Sequence, residues 1–189
     1  EIQDAGFDLI SEIQRQVAER FAKDEGASAI NGDGITGMSG ILNDSRIGFI
    51  KSGSNTGLTF DALIDATGEI ESFYEPIYAF NRKTLAKIRK LKDEAGHYIW
   101  QAGNLGAGIP NQINGFKYVI LPDMPDVATG TFPILFGDFR QYKIGDRRSL
   151  NVIIDDKTLA DSDQIRYVFS KRVGGALMQP AFVKIKIEQ

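Results

Sequence analysis

No cysteine occurs among the 189 residues, which excludes a disulfide framework and any thiolate metal site, and which is compatible with folding inside a cell without requiring it. His97 is the only histidine, so a two-histidine metal site and a conventional His-based relay are both severely limited. Beside Tyr98 and Trp100 it reads as a packed or hydrogen-bonded structural residue. No local signature of Ser-His-Asp or Cys-His catalysis is present. Apolar runs stay well short of the roughly 18 residues of a membrane span, and the first residues lack a basic region followed by an apolar core. An excess of positive charge is also missing. With 22 Lys and Arg against 25 Asp and Glu, the formal charge is −3 and the pI about 5.3, which argues against gripping nucleic acid through net charge. The chain opens Glu1-Ile2-Gln3 without Met, already in the approach to a helix, and reads as a fragment or a processed product.

What is present is ordinary for a folded domain: 42% hydrophobic and 25% charged residues. The length suits one or two domains that bury roughly 70% of the unfolded surface. From Phe7 to Glu25, Ile10, Ile13, Val17 and Phe21 follow helical steps, with Asp8 as cap or first-turn acid and Gly26 as the stop. Residues 31–57 are rich in Gly, Ser, Asn and Thr and read as loop with a short strand or hairpin. Thr59 caps a helix with Phe60, Leu63, Ile64 and Ile70 on its buried side; Gly68 weakens its continuity. Pro76 to Phe80 is a short strand. Asn81 caps a second helix, Arg82 to Lys92, that buries Leu85, Ile88 and Leu91 and carries cations toward its C-terminal end. Gly96 closes that region, and a Gly/Asn/Pro-containing loop spans 101–114.

Phe116 to Leu121 is almost continuously apolar, which predicts a strand buried on both faces at the centre of its sheet, with Thr131 to Phe136 beside it. Ile120→Asp is then expected to prevent folding. In the last third, Tyr142 to Arg147 and Leu150 to Ile154 are two strand-like runs, and Ile165 to Val173 is a third. There Ile165, Tyr167, Phe169 and Val173 alternate with Arg166, Ser170 and Arg172. A Gly174-Gly175 break and Pro180 precede Phe182 to Ile187, where Val183, Ile185 and Ile187 enter a core while Lys184 and Lys186 stay in water. Helices and strands alternate irregularly, so the class is α+β. The N-terminal helix is expected to pack on the sheet formed by the runs from Tyr142 to Ile154 and from Ile165 to Val173.

Three motifs have weak chemical readings. Gly32-Asp-Gly34-Ile-Thr-Gly37 fits G-x-G-x-x-G, but a helix precedes it and a loop follows, the reverse of what pyrophosphate binding needs, so a plain glycine turn is the better reading. Asp155, Asp156, Asp161 and Asp163 lack the glycine and terminal glutamate of a calcium loop and read as a solvated turn. The basic helix face of Arg82, Lys83, Lys87, Arg89, Lys90 and Lys92 could face DNA, pair across a subunit boundary, or simply solvate its helix. No catalytic, cofactor or metal residue is assigned.

The run from Phe136 through Gly137, Asp138, Phe139, Arg140, Gln141 and Tyr142 to Asp146 and Arg147 resembles the C-terminal signature of tailed-phage major capsid proteins with the Hong Kong 97 fold. Lys171-Arg172-Val173-Gly174-Gly175 and Pro180-Ala181-Phe182-Val183 complete it. Upstream, Ala22 to Ala27, Gly32 to Gly34, Ser39 to Leu42, Leu91 to Gly96 with Tyr98 to Trp100, and Asn114-Gly115 through Met124-Pro125 agree as well. The resemblance covers nearly the whole chain from about Phe7 onward. Its structural positions are Gly137, Asp138, Phe139, Asp146, Arg147, Arg172, Gly174, Gly175, Pro180 and Phe182.

The resemblance implies a peripheral domain from residues 1–33 and 139–172, holding the long spine helix and an antiparallel sheet. It also implies an axial domain from residues 34–138 and 173–189, with a central sheet flanked by helices. The implied function is structural: an icosahedral shell enclosing DNA, found in the virion and assembled in the bacterial host cytoplasm. Implied partners are copies of the chain itself in pentamers and hexamers, then scaffolding protein, portal and packaged DNA, with no membrane. An encapsulin-type compartment shell shares the fold and is the alternative; a nucleotide-binding enzyme rests on Gly32 to Gly37 alone. Some relatives in the resembled family link an E-loop lysine to a peripheral asparagine with the help of a glutamate. Those positions fall near Asp163 and Ser170, and no segment here matches the E-loop or the N-terminal arm, so crosslinking is not expected. Without those reaching elements, the 189 residues by themselves are expected to stay monomeric or at most form a ring of five or six through axial-domain contacts, and not to close into shells.

Overall fold

The computed structural model describes residues 9–92, 95–98, 112–155, 157–158 and 165–189. In chain order its elements are α1 (Leu9–Asn31), β1 (Gly48–Lys51), α2 (Phe60–Gly68), β2 (Ile77–Phe80), α3 (Arg82–Arg89), β3 (Gln112–Ile113), β4 (Phe116–Ile120), β5 (Ile134–Gly137), β6 (Tyr142–Asp155), β7 (Arg166–Leu177) and β8 (Phe182–Lys186). Short 3-10 turns occupy Ile41–Asn43 and Phe139–Gln141.

The N-terminal helix runs past Gly26, the expected stop, to Asn31. Glycine costs a helix roughly 1 kcal/mol relative to alanine, and tertiary contacts outweigh that here. Ile30 is buried in the core, and the Asn31 side chain donates to the Asp123 carbonyl at 2.8 Å. The helix ends at Gly32, whose amide bonds to the Ser28 carbonyl at 2.8 Å and where a Cβ would collide with the Met38 and Ser28 carbonyls. Phe7 and the Asp8 cap lie outside the described residues.

A six-stranded mixed sheet has the order β1-β8-β5-β2-β4-β3. Tyr78, Phe80, Ile134, Phe136, Val183, Ile185 and Ile187 point to one face, under α2 and α3. Ala79, Leu135 and Phe182 point to the other, under the Ile41–Asn43 turn and Ile30 of α1. The period of two along each strand makes this split. Thr59 caps α2 by accepting from the Ala62 amide, and Asn81 caps α3 by accepting from the Thr84 amide at 2.7 Å.

Several expectations need correction. Strand β4 is next to the sheet's β3 edge instead of central, and its strand neighbours are β2 and β3, whereas β5 lies between β2 and β8. A continuous apolar run says that a strand is covered, not where it stands across the sheet. Ile120 is only partly buried and Lys117 is exposed, so Ile120 does not occupy the centre of the core. On α2, Ile64 is 48% exposed and Ala62 and Ala66 take the buried stripe, because small residues let the helix sit close to β1 and β8. Helix α3 ends at Arg89, short of Lys92. Lys184 is 6% exposed, since β8 is an inner strand and its second face is roofed by the segment around Leu42.

Strands β6 and β7 form a separate two-stranded antiparallel ribbon. The two expected runs between Tyr142 and Ile154 are one strand with register irregularities between Asp146 and Asn151, which bend a long ribbon. Gly174-Gly175 is no break: both residues are inside β7, opposite Gly145 and Ile144. The alternation along β7 holds except at Ser170: Tyr167, Phe169, Lys171 and Val173 are partly buried and Arg166, Val168 and Arg172 exposed, but Ser170, expected outside, is partly buried as well; Ile165, just before the strand, is 51% exposed. Helix α1 contacts β7. A lone two-stranded ribbon is marginal in water, so the helix stabilises it.

Candidate assembly surfaces

The signature residues collect at two joints and along the ribbon. At the first joint, Gly137 ends β5 against Phe182, and a Cβ there would run into the Ala181 carbonyl and the Phe182 side chain. Only glycine allows that approach. Asp138 follows, 1% exposed, with its amide bonded to the Ala181 carbonyl at 3.0 Å. Its carboxylate accepts from the Arg140 amide at 3.0 Å and from the Arg140 guanidinium at 2.8 Å. The Arg140 guanidinium holds the Asp138 carboxyl below its ordinary range, and Arg140 reaches on to Glu75 at 2.9 Å. Phe139 meets Phe182 edge to face at 5.1 Å. Pro180 is exposed and lines a shallow hollow with Glu69, Tyr74 and Ala181.

At the second joint the Gly175 carbonyl accepts from the Ser39 amide at 3.0 Å, and the Tyr142 hydroxyl donates to the Ser39 carbonyl at 3.0 Å. A Cβ on Gly175 would meet the Tyr142 hydroxyl at 2.5 Å and the Met38 sulfur at 2.9 Å. Gly174 has open space around it. Farther out, Arg147 and Arg172 are exposed, while Asp146 joins Lys171 at 3.4 Å and Lys171 joins Glu25 of α1 at 2.6 Å. The bond to Glu25 holds the Lys171 ammonium in its charged form, with its pKa raised. A charged amine is no nucleophile, so this triad pins the helix to the ribbon.

No arrangement for chemistry emerges among the described residues. They contain no group of three His, Cys, Asp or Glu able to hold a metal ion. His97 is exposed. Asp155 closes a turn by accepting from the Lys157 and Thr158 amides; Asp156, Asp161 and Asp163 lie outside the described residues. Asp33 likewise caps its own turn through the Ile35 and Thr36 amides at 2.9 Å. The Gly32 to Gly37 segment follows the C-terminal end of α1, the negative end of the helix dipole, which repels phosphate. Ser170 faces Asn151 across the ribbon. No described helix is long and apolar enough to cross a membrane.

A feature missed in the sequence is the anchorage of Lys184. Its ammonium donates to the Leu42 carbonyl at 3.1 Å and the Asp44 carbonyl at 3.3 Å and sits 5.1 Å over the Phe132 ring. Asp44 is paired with Arg46 at 2.7 Å. Burial lowers the Lys184 pKa and nearby Asp44 partly opposes this. Nothing in the sequence separates Lys184 from Lys186 two positions on in the same strand.

Comparison with known proteins places this geometry. The model of the phage capsid family matches residues 2–187. No curated protein matches by sequence. Among solved structures, the capsid of an empty GTA particle, computed with C5 symmetry, is 29% identical with a TM-score of 0.88, over 100% of this chain and 69% of that one. A structure from Gordonia phage Cozz is 14% identical with a TM-score of 0.70, over 100% of this chain and 65% of that one. A holo encapsulin complex from Synechococcus elongatus is 16% identical with a TM-score of 0.68, over 97% of this chain and 67% of that one. The last two identities establish the shared fold alone.

Proposed function

Because this chain belongs to the phage capsid family and is a structural shell protein with the Hong Kong 97-type fold, we propose that copies of it close into an icosahedral head around DNA. The match over residues 2–187 carries this reading. Pentamers and hexamers are the units such a shell requires, with scaffolding protein and portal as further partners. Its place is the virion after assembly in the bacterial cytoplasm. Function of this kind is spread over interfaces, and no catalytic role is assigned.

Two modules serve this purpose. The peripheral one takes residues 1–33 and 139–172; the axial one takes 34–138 and 173–189. The separate ribbon and six-stranded sheet support the division, although β7 continues without interruption across 172 and 173. The handover back to the sheet therefore suits the Leu177 to Pro180 segment better. We assign Gly137, Asp138, Phe139 and Phe182 to holding the modules at a fixed angle, and Gly174 and Gly175 to the base of the ribbon. Asp146, Arg147 and Arg172 belong to the ribbon, and Pro180 to the handover.

Particles sedimented from cells that produce the protein test the reading. Peptides of this chain should dominate the shell, and nuclease-resistant DNA should co-sediment with them. Closed particles holding protein cargo and no DNA would favour the encapsulin alternative.

A further inference from the structure

Helices α2 and α3 lie on one face of the six-stranded sheet, packed on the shared core of Tyr78, Phe80, Phe136 and Ile185. They stand toward opposite edges. Helix α2 contacts β1 and β8, while Leu85 and Ala86 of α3 line a groove with Tyr118 and Ile120 of β4.

Their charges are segregated. From Phe60 to Glu75 the chain carries Asp61, Asp65, Glu69, Glu71 and Glu75 and no Lys or Arg. From Arg82 to Lys92 it carries only cations and no carboxylate. Within the chain Glu75 meets Arg140 at 2.9 Å and Lys83 meets Asp126 at 2.6 Å. Both edges also display apolar surface. Ile64 is 48% exposed on α2, and Phe73, 69% exposed, follows it at the end of the sheet where Tyr74 bonds Gln179 and Glu75 meets Arg140. The groove on the basic side, about 410 Å³, is lined by Leu85, Ala86, Tyr118 and Ile120 between Arg82 and Arg89.

Resting on the shell reading, we infer that these edges are the two halves of one head-to-tail contact. The segment from Ile64 to Phe73 of one copy docks on the α3 groove of the next. An acidic edge repels a second acidic edge, so a two-fold contact of either edge with itself is disfavoured. A contact between unlike patches leaves the joined pair with one free edge of each kind, and rotation by a constant angle then closes a ring. Complementary charge selects this pairing over others, and the apolar groove supplies the buried surface.

Charge exchange tests the inference. One variant carries Arg82→Glu and Arg89→Glu, a second Glu69→Lys and Glu71→Lys, and a third all four. Circular dichroism checks that each is folded, and sedimentation velocity at low salt measures association. Each two-site variant alone should associate at least about tenfold more weakly than the parent, since the charges flanking the groove then share the sign of residues 69 and 71. An equimolar mixture of the two, and the four-site variant alone, should both recover. Two-site variants that associate like the parent, or a mixture and four-site chain that stay as weak as the two-site variants, would overturn the contact. If particles still form in that case, the shell reading stands without this interface; a parent chain that neither associates nor enters particles would contradict both.

Discussion

Gly137 and Gly174 are the same residue under different constraints. An alanine methyl at 137 would strike the Ala181 backbone and Phe182, while at 174 nothing lies within 4 Å. Gly137→Ala should therefore destabilise by about 1–3 kcal/mol, the usual cost of overpacking, and Gly174→Ala should stay within about 0.5 kcal/mol of the parent. Urea melts of both variants check this. Asp138→Ala removes a cap and the ion pair, but Arg140 is 58% exposed and keeps Glu75. The loss should thus be near that of a cap, about 1–2 kcal/mol.

The Asp138 and Asp44 carboxyls are both held below their ordinary values, chiefly by hydrogen bonds from Arg140 and Arg46. Folding therefore gains from their ionisation. That gain is fully present above the unfolded carboxyl value of about 3.9 and is lost as pH falls through the lower folded values. Asp138→Asn should flatten the acid limb of a stability-against-pH curve and change little at pH 7 beyond a constant offset. Lys184→Met leaves the Leu42 carbonyl without its donor, while the Asp44 carbonyl keeps the Ile47 amide and the Asp44 carboxylate keeps Arg46. A loss of about 1–3 kcal/mol is expected, the cost of one unsatisfied buried group and not of an unpaired charge.

At the scale of elements, caps and periodicity were legible in the sequence. Asn81 and Thr59 stand where helices begin, and Tyr167, Phe169 and Val173 alternate as a half-covered strand should. Position across a sheet was not legible, because β4, β5 and β8 are all short, mainly apolar strands, and nothing local orders them. Nor was the roof over Lys184, which comes from residues more than a hundred positions away. Of the candidate positions, the joint of Gly137, Asp138 and Phe182 was readable only through resemblance. The paired charges on α2 and α3 were in plain view but meaningless until topology set them at opposite edges. Asp placed at 134 and at 120 separates these effects. Ile134 is 0% exposed, so Ile134→Asp should abolish folding, an unpaired buried carboxylate costing several kcal/mol. Ile120→Asp should be tolerated far better, as partial exposure hydrates the charge. Soluble yield and thermal melts report the difference.

At the scale of the molecule, a helix-braced ribbon and a sheet with oppositely charged edges leave the chain with surfaces to satisfy and no cavity built for catalysis among the described residues. Exposed Ile153, Ile154 and Val168 on the outer ribbon fit the same picture. The most direct measurement is an electron cryomicroscopy reconstruction of particles isolated with this chain. The account predicts closed symmetric shells in which every subunit shows this fold, with the α2 edge of each copy against the α3 groove of its neighbour. Particles whose shell is made of another protein, or this chain found only as a component outside the shell, would contradict it.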